Sequence, residues 1–388
     1  MILKKLSYSE FKTQPSEWVL DDCTFGNINL IVGKNATGKT RTLNVIRNLA
    51  GLLSELDALQ WSEGNYSVEF SKNDRLFDYF LEYSNKVVIR EVLRINNIEY
   101  ITRNQEGIGK IRAEQLGDDI QFQTEPNRLS LVAKRDSIQH PFIDEIYYWA
   151  QGVTKLDFGA SMGQGNLLIQ VRDGKNLGPE TELSIKDTEK VVALFLQGER
   201  DFSNEFKNAI LSDMNYIGFE IEDIGVDSIA GMSIILPELL SSVSIGQPTG
   251  TYVKESDLQI RTVQPVMSQG MFRALSAFIQ VNYGLLSKKS TCILIDDIGE
   301  GLDYSRSSSL VKRLIEKAEG TSIQLVMATN DRFIMNAVPL EYWMILTRSG
   351  GRISNFNYRN SKEMFDNFQD TGLNNFDLFS SGYYKLEK

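Results

Sequence analysis

The sequence predicts an α/β fold with a mixed, mostly parallel sheet and an antiparallel β-rich segment. Three observations carry this expectation. A short apolar run ending in glycine, "NINLIVG", feeds a glycine-bearing loop and then a helical pattern. From Leu258 onward strand and helix patterns alternate, which predicts parallel strands covered on both faces. Between these regions, from about Asn65 to Arg135, short alternating segments with polar connections read as antiparallel strands.

Taken in order, "LKKLSYSEF" and "WVLDDCTF" read as strands, and "NINLIVG" as a buried one. A helix is expected from Arg41, with Leu43, Ile46, Leu49, Ala50 and Leu53 on one face. "YSVEF", "FDYFLEY", "KVVIREVLRI" and "EYITRN" supply the antiparallel segment. Helical patterns recur from about Pro141 to Ile210, in "FIDEIYYWAQGV", "DTEKVVALFLQG" and "SNEFKNAIL", with the loop "GASMGQGN" between the first two. "SVSIGQPTGTYVKES" is rich in turn residues and returns the chain to the main body. The strand "LQIRTVQPV" then leads into the helix "GMFRALSAFIQVNYGLL". The strand "TCILID", the helix "SRSSSLVKRLIEKAE" and the strand "IQLVMAT" follow, and a hairpin is expected around "RSGGR".

Composition bounds the function classes. Of the 388 residues 42% are hydrophobic and 24% charged, the balance of a globular chain with a sizeable core. A net charge of −10 argues against a protein that coats nucleic acid with its whole surface, but leaves room for a local basic groove. Two cysteines, Cys23 and Cys292, and a single histidine, His140, cannot build a disulfide framework or a zinc site. The start "MILKKLSYSEF" lacks the apolar stretch of a signal peptide, and no run is long enough to span a membrane. A reducing cytoplasm is the expected compartment.

"GKNATGKT" fits the phosphate-loop pattern G-x-x-x-x-G-K-[ST] in the context that pattern requires, between an apolar strand and a helix. Gly33 and Gly38 let the backbone curl so that N–H groups of Lys34, Asn35, Ala36 and Thr37 face phosphate oxygens. The helix beginning near Lys39 and Arg41 aims its positive end at the same anion. Lys39 is expected to reach the β- and γ-phosphates, and the Thr40 hydroxyl to ligate Mg²⁺.

"ILIDDIGEGLD" sets an apolar run against four carboxylates. Beside a phosphate loop, Asp296 at the end of its strand is the metal-side carboxylate. Asp297 points differently and is the candidate to orient or deprotonate the attacking water. Glu300, between Gly299 and Gly301, reads as solvated. A nuclease reading would need more metal ligands on other strands, and the sequence offers neither a histidine pair nor a second acidic cluster.

Three further segments resemble ABC-class ATPases. "VMSQGMFRAL" is similar to their signature motif, one helix ahead of "ILIDD"; "GLD" resembles their D-loop; and "LVMATND" falls where their switch loop follows the next strand. The set looks most like the SMC, RecF and OLD subgroup. The resemblance implies a P-loop NTPase core split over 1–64 and 255–360, an inserted β-rich lobe and helical arm over 65–254, and a tail over 361–388 that packs on the core or docks a partner. It implies ATP and Mg²⁺ as ligands. It also implies two heads that sandwich ATP as a homodimer or higher oligomer. Ser268, Gln269 and Gly270 of one head would then meet the γ-phosphate held by the other, and Asp303 would cross toward the partner.

Two departures from the family pattern bear on rate. Asp297 stands where a glutamate is usual, one methylene short, and a misplacement of about 1 Å can cost on the order of 10²-fold. Asn330 stands where a histidine is usual and cannot gain positive charge. Slow hydrolysis is therefore expected, as in a switch or clamp working on a separate effector protein. Stand-alone heads of this kind resemble the ATPase components of bacterial defence systems, and by that analogy antiviral defence is the expected setting. A RecF-like DNA clamp is the alternative, with Lys4, Lys5, Lys110, Arg112, Lys134, Arg135, Lys288 and Lys289 as candidate groove residues. An ATP-binding scaffold with little hydrolysis is another. A glutamine contacting Mg²⁺ is also implied, with Gln60, Gln105 and Gln121 as candidates.

Overall fold

Alternating apolar and polar residues shape the first strands. Along β1 (Ile2–Glu10) the buried faces are those of Leu3, Leu6, Tyr8 and Glu10, with a bulge between Leu3 and Lys5 that restores the alternation. β2 (Trp18–Thr24) returns antiparallel to it, and β3 (Ile28–Val32) is buried on both faces. The computed structural model describes residues 1–59, 62–165, 167, 171–172, 191–229, 244–245 and 248–385. These form two compact units: Met1–Lys155 with Ser290–Asp297 and Ala318–Lys388, and Leu156–Lys289 with Ile298–Lys317.

In the first unit, α1 (Lys39–Leu53) follows β3 and buries Leu43, Ile46, Leu49 and Leu53 in the core. A meander comes next: β4 (Glu63–Lys72), β5 (Arg75–Ser84), β6 (Val87–Ile95), β7 (Ile98–Arg103), β8 (Ile108–Ala113) and β9 (Asp118–Gln123). Its first three hairpins turn at Asn73-Asp74, Asn85-Lys86 and Asn96-Asn97, every residue of which has positive φ. Such left-handed pairs match the twist of the flanking strands, and asparagine tolerates them best after glycine. The short helix α2 (Ser130–Ala133) is clipped to this meander by buried Glu91, which accepts the N–H groups of Ser130 (2.6 Å) and Leu131 (3.0 Å) and the Tyr79 hydroxyl. Burial pushes the Glu91 carboxyl above its ordinary range, while these donors and Arg103 pull the other way. α3 (Pro141–Gln151) packs on α1 and leads into β10 (Val153–Asp157), whose first three residues belong to this unit.

The second unit holds β11 (Val171–Arg172), α4 (Val191–Tyr216, broken at Ser203), β12 (Ile221–Ser228), β13 (Ser244–Ile245), β14 (Thr249–Glu255), β15 (Thr262–Val263) and α5 (Gln269–Ser287). β11 pairs with β13, and β12, β14 and β15 form a small antiparallel sheet. The expected strand "LQIRTVQPV" is mostly irregular here. Only Thr262–Val263 pair, and Gln264–Val266 form a single 3₁₀ turn with Pro265 in its first turn, since proline has no N–H to give a ladder. The start of "DTEKVVALFLQG" and parts of "SVSIGQPTGTYVKES" lie outside the described residues.

The chain re-enters the first unit with β16 (Thr291–Asp296). The chain then adds α6 (Tyr304–Ala318) to the second unit and returns to the first with β17 (Ile323–Thr329), α7 (Arg332–Ala337), and the hairpin of β18 (Trp343–Ser349) and β19 (Arg352–Asn357), which turns at Gly350-Gly351. α8 (Lys362–Gln369) and α9 (Asn375–Ser380) close the chain against this unit. Phe365, Phe368 and Leu378 are buried there, and Asn375 donates to the Val338 carbonyl.

The strands of this unit make one 14-stranded sheet in the order β10-β16-β17-β3-β18-β19-β2-β1-β4-β5-β6-β7-β8-β9. β16, β17, β3 and β18 run parallel, as does β19 with β2. From β2 through β9 every neighbour is antiparallel. The sheet is therefore mostly antiparallel as a whole, against the mostly parallel one expected. β1 pairs with both β2 and β4, which fuses the nucleotide-type core to the meander; strand patterns alone do not reveal that pairing.

Candidate functional site

The ends of three parallel strands converge on the phosphate loop. β3 runs into Gly33, where an added Cβ would strike the Thr37 hydroxyl, so the close curl needs glycine. Gly38, at φ +99°, opens α1. Thr37 closes the loop on itself by donating to the Lys34 carbonyl at 2.8 Å. Lys34, Asn35, Ala36 and Thr40 are exposed, and Lys39 is buried.

The Lys39 ammonium donates to the Gly33 carbonyl at 2.8 Å, the Lys34 carbonyl at 3.3 Å and Asn330 Oδ1 at 2.6 Å. Asn330 follows β17, so the switch position and the phosphate loop meet at this ammonium. Burial lowers the Lys39 pKa, and Asp297, then Asp296, oppose that shift. Asp297 is half-buried and sits at φ +50°, the left-handed region, which turns it away from the line of β16. Asp296, 2% exposed, accepts from the Thr40 hydroxyl at 3.2 Å through Oδ1.

Arg41, at the start of α1, has partners of its own. Its guanidinium stacks over the Trp18 ring at 4.3 Å and pairs with Glu10. Arg348, on the β18–β19 hairpin, donates to the Ala36 carbonyl at 3.1 Å and braces the loop from outside. It is far from the loop in sequence, and no local pattern announces it.

The second unit carries the other motif residues. Ser268 caps α5 by accepting the Met271 N–H at 3.2 Å; Ser268 and Gln269 are exposed and Gly270 is buried. A Cβ on Gly270 would collide with the Gly301 carbonyl, so the signature and D-loop segments are in backbone contact. Arg273, one turn into α5, locks that contact by donating to the carbonyls of Glu300 (2.9 Å) and Ala160 (3.1 Å). Gln164, in "GASMGQGN", donates to the carbonyls of Gln264 (3.1 Å) and Met267 (2.7 Å), just before the signature. Neither residue stands out in the sequence, because each acts through backbone carbonyls distant along the chain. Asp303 caps α6 through the Arg306 N–H, which with the Arg306 side chain holds its carboxyl below the ordinary range. Glu300 is exposed.

The Thr40 hydroxyl and the Asp296 carboxylate are hard oxygen donors, the kind Mg²⁺ takes in ones and twos alongside phosphate oxygens. They fit that ion as its protein share. Among the described residues no group of three or more His, Cys, Asp or Glu side chains could hold a metal by itself. Two of the three candidate glutamines are placed elsewhere. Gln105 is in the β7–β8 turn and Gln121 on β9, at the other end of the sheet order from β16, and Gln60 lies outside the described residues. The side chain that reaches Asp296 from the adjacent strand is Lys155 of β10, with Nζ 3.3 Å from Oδ2.

The candidate groove lysines and arginines are spread over both units. Lys5, Arg112 and Arg135 each pair with a carboxylate, of Asp22, Asp119 and Asp144. Among the described residues no helix is long and apolar enough to cross a membrane.

No family model matches the chain, and no curated protein matches it in sequence. Solved structures match it in fold. An SMC head bound to the C-winged helix domain of ScpA aligns over 92% of this chain and 99% of its own, with a TM-score of 0.50 at 12% identity. An SMC head domain from Thermotoga maritima aligns over 92% and 99%, at 0.45 and 13%. A Pyrococcus furiosus SMC head with an extended coiled coil aligns over 95% and 99%, at 0.48 and 11%. The chain has the fold of SMC head domains.

Proposed function

We propose that this chain binds ATP with Mg²⁺, hydrolyses it slowly, and acts as an ATP-gated dimeric switch for a separate effector protein, with antiviral defence as its setting. The observation that carries the nucleotide reading is the convergence at Lys39. One ammonium joins the phosphate loop to Asn330, while Thr40 joins it to Asp296. An ATP γ-phosphate entering this point would take over the donors that the Gly33 and Lys34 carbonyls and Asn330 now occupy.

Mg²⁺, held by Thr40 and by Asp296 through water, would supply charge neutralisation of the phosphate oxygens. Lys39 binds and orients the β- and γ-phosphates. Asp297 takes a proton from the attacking water as its oxygen bonds to the γ-phosphorus and the bond to the ADP oxygen breaks. Asn330 holds the γ-phosphate or the water by hydrogen bonds but brings no charge. Asp297 and Asn330 together support slow turnover.

Dimerisation is supported by the exposed caps Ser268 and Asp303 and by the apolar residues beside them in sequence. Val266 is 73% exposed and Tyr304 62%, surface that a second head would cover. The solved SMC head that binds a winged-helix domain lends support to a protein partner.

The test is sedimentation velocity with ATP, a non-hydrolysable analogue or ADP, alongside phosphate release. Wild-type chain should dimerise with ATP and more persistently with the analogue. Lys39→Ala should stay monomeric and lose ATP binding at least about 100-fold, and Ser268→Arg should bind ATP yet stay monomeric. Monomers under all conditions with tight ATP binding would refute the dimeric switch. Turnover of tens per second would refute slow hydrolysis, and unmeasurable phosphate release from ATP-bound dimers would favour a scaffold.

A further inference from the structure

We infer that Lys155 is a built-in counter-cation at the metal-side carboxylate, which positions Asp296 and raises the Mg²⁺ concentration the nucleotide site requires. The inference rests on the nucleotide reading above. Asp296 is divided between two partners: Oδ1 faces the Thr40 hydroxyl at 3.2 Å, and Oδ2 faces the Lys155 ammonium at 3.3 Å. The carboxylate side chain is 3% exposed and the lysine 12%, so little water screens the pair.

The ammonium is delivered by a strand. β10 lies beside β16 in the sheet, and the Cys292 N–H donates to the Gly152 carbonyl at 2.9 Å, anchoring the turn where β10 begins. Gly152 is itself required at that approach, since a Cβ there would strike the Ser290 carbonyl.

A divalent ion approaching Thr40 and Asp296 therefore meets a carboxylate whose charge is already paired. It also meets a like charge on the far oxygen. Like charges this close, at a protein-like effective dielectric, change an ion's binding constant by about tenfold or more. A neutral side chain at this position would leave Asp296 fully available to the ion. Lys155 thus sets a threshold for the metal, and through it for the closed state, without touching the nucleotide.

Fluorescence of mant-ATP titrated with Mg²⁺ reads this directly, with no turnover needed. Lys155→Met should lower the Mg²⁺ concentration at half-maximal binding about tenfold. Lys155→Gln, a second neutral variant of similar length, should do the same. Lys155→Arg, which keeps the charge, should stay within about threefold of wild type. Unshifted or raised midpoints in both neutral variants, or loss of mant-ATP binding in both at every Mg²⁺ concentration, would overturn the inference. Wild-type binding abolished by Lys39→Ala, but with unshifted midpoints in the neutral variants, overturns this inference alone. No mant-ATP binding by the wild-type chain overturns the nucleotide reading and this one with it.

Discussion

Removing the Asp213 carboxylate should destabilise the second unit by about 3 kcal/mol, the low end for breaking a buried ion pair from one side. Asp213 is fully buried on α4 and holds three partners: Arg313 Nε at 2.9 Å and Lys317 Nζ at 2.9 Å, both on α6, and Asn282 Nδ2 at 2.7 Å on α5. It therefore ties α6 and α5 to α4. In Asp213→Ala two cations lose their shared anion. Each keeps a fallback, Arg313 with Glu316 at 3.1 Å and Lys317 with Asn282 Oδ1 at 2.8 Å, and both side chains are partly exposed. Those fallbacks place the loss at the low end of the range.

All four tryptophans fall outside this unit, so urea unfolding is best followed by far-UV circular dichroism of its helices. With a urea slope of about 2 kcal/mol/M, the midpoint should fall by about 1.5 M. The control is Asp213→Leu with Arg313→Met and Lys317→Met. Replacing a whole buried ionic cluster by apolar residues is often neutral or stabilising, so this variant should recover to within about 1 kcal/mol of wild type. An Asp213→Ala midpoint within about 0.3 M of wild type would refute the reasoning. So would a triple variant as unstable as Asp213→Ala, because the cause would then not be unpaired charge.

Three other expectations concern the motifs. Asp297→Asn should abolish phosphate release while leaving ATP binding within a few-fold. Asp297→Glu should raise turnover by about tenfold, less than the full gain of a restored methylene, because glutamate tolerates the left-handed backbone at φ +50° less well; a slower Glu variant would contradict the role given to this position. Gly270→Ala drives a Cβ into the Gly301 carbonyl and should cost about 1–3 kcal/mol of overpacking strain. ATP-dependent dimerisation should fail while mant-ATP binding persists, and sedimentation velocity with a parallel melting curve checks both.

What the sequence by itself determined is what depends on local backbone chemistry. The phosphate loop is legible because a curled run of N–H groups needs Gly33 and Gly38 at fixed offsets, after an apolar strand and before a helix. Asp296 is legible because a strand buried on both faces ends abruptly in acid. Tertiary structure alone decided the rest. Which edge of the core the meander joins depends on β1 pairing with β4 as well as β2, and alternation along a strand does not name its neighbour. Lys155, Arg273, Gln164 and Arg348 serve the motifs through a carboxylate or backbone carbonyls far away in sequence, so nothing around them marks the role. Asp297 and Lys155 show the division most clearly. The sequence sets Asp296 and Asp297 side by side at the end of a strand, but only the folded sheet brings a lysine to the second oxygen of Asp296.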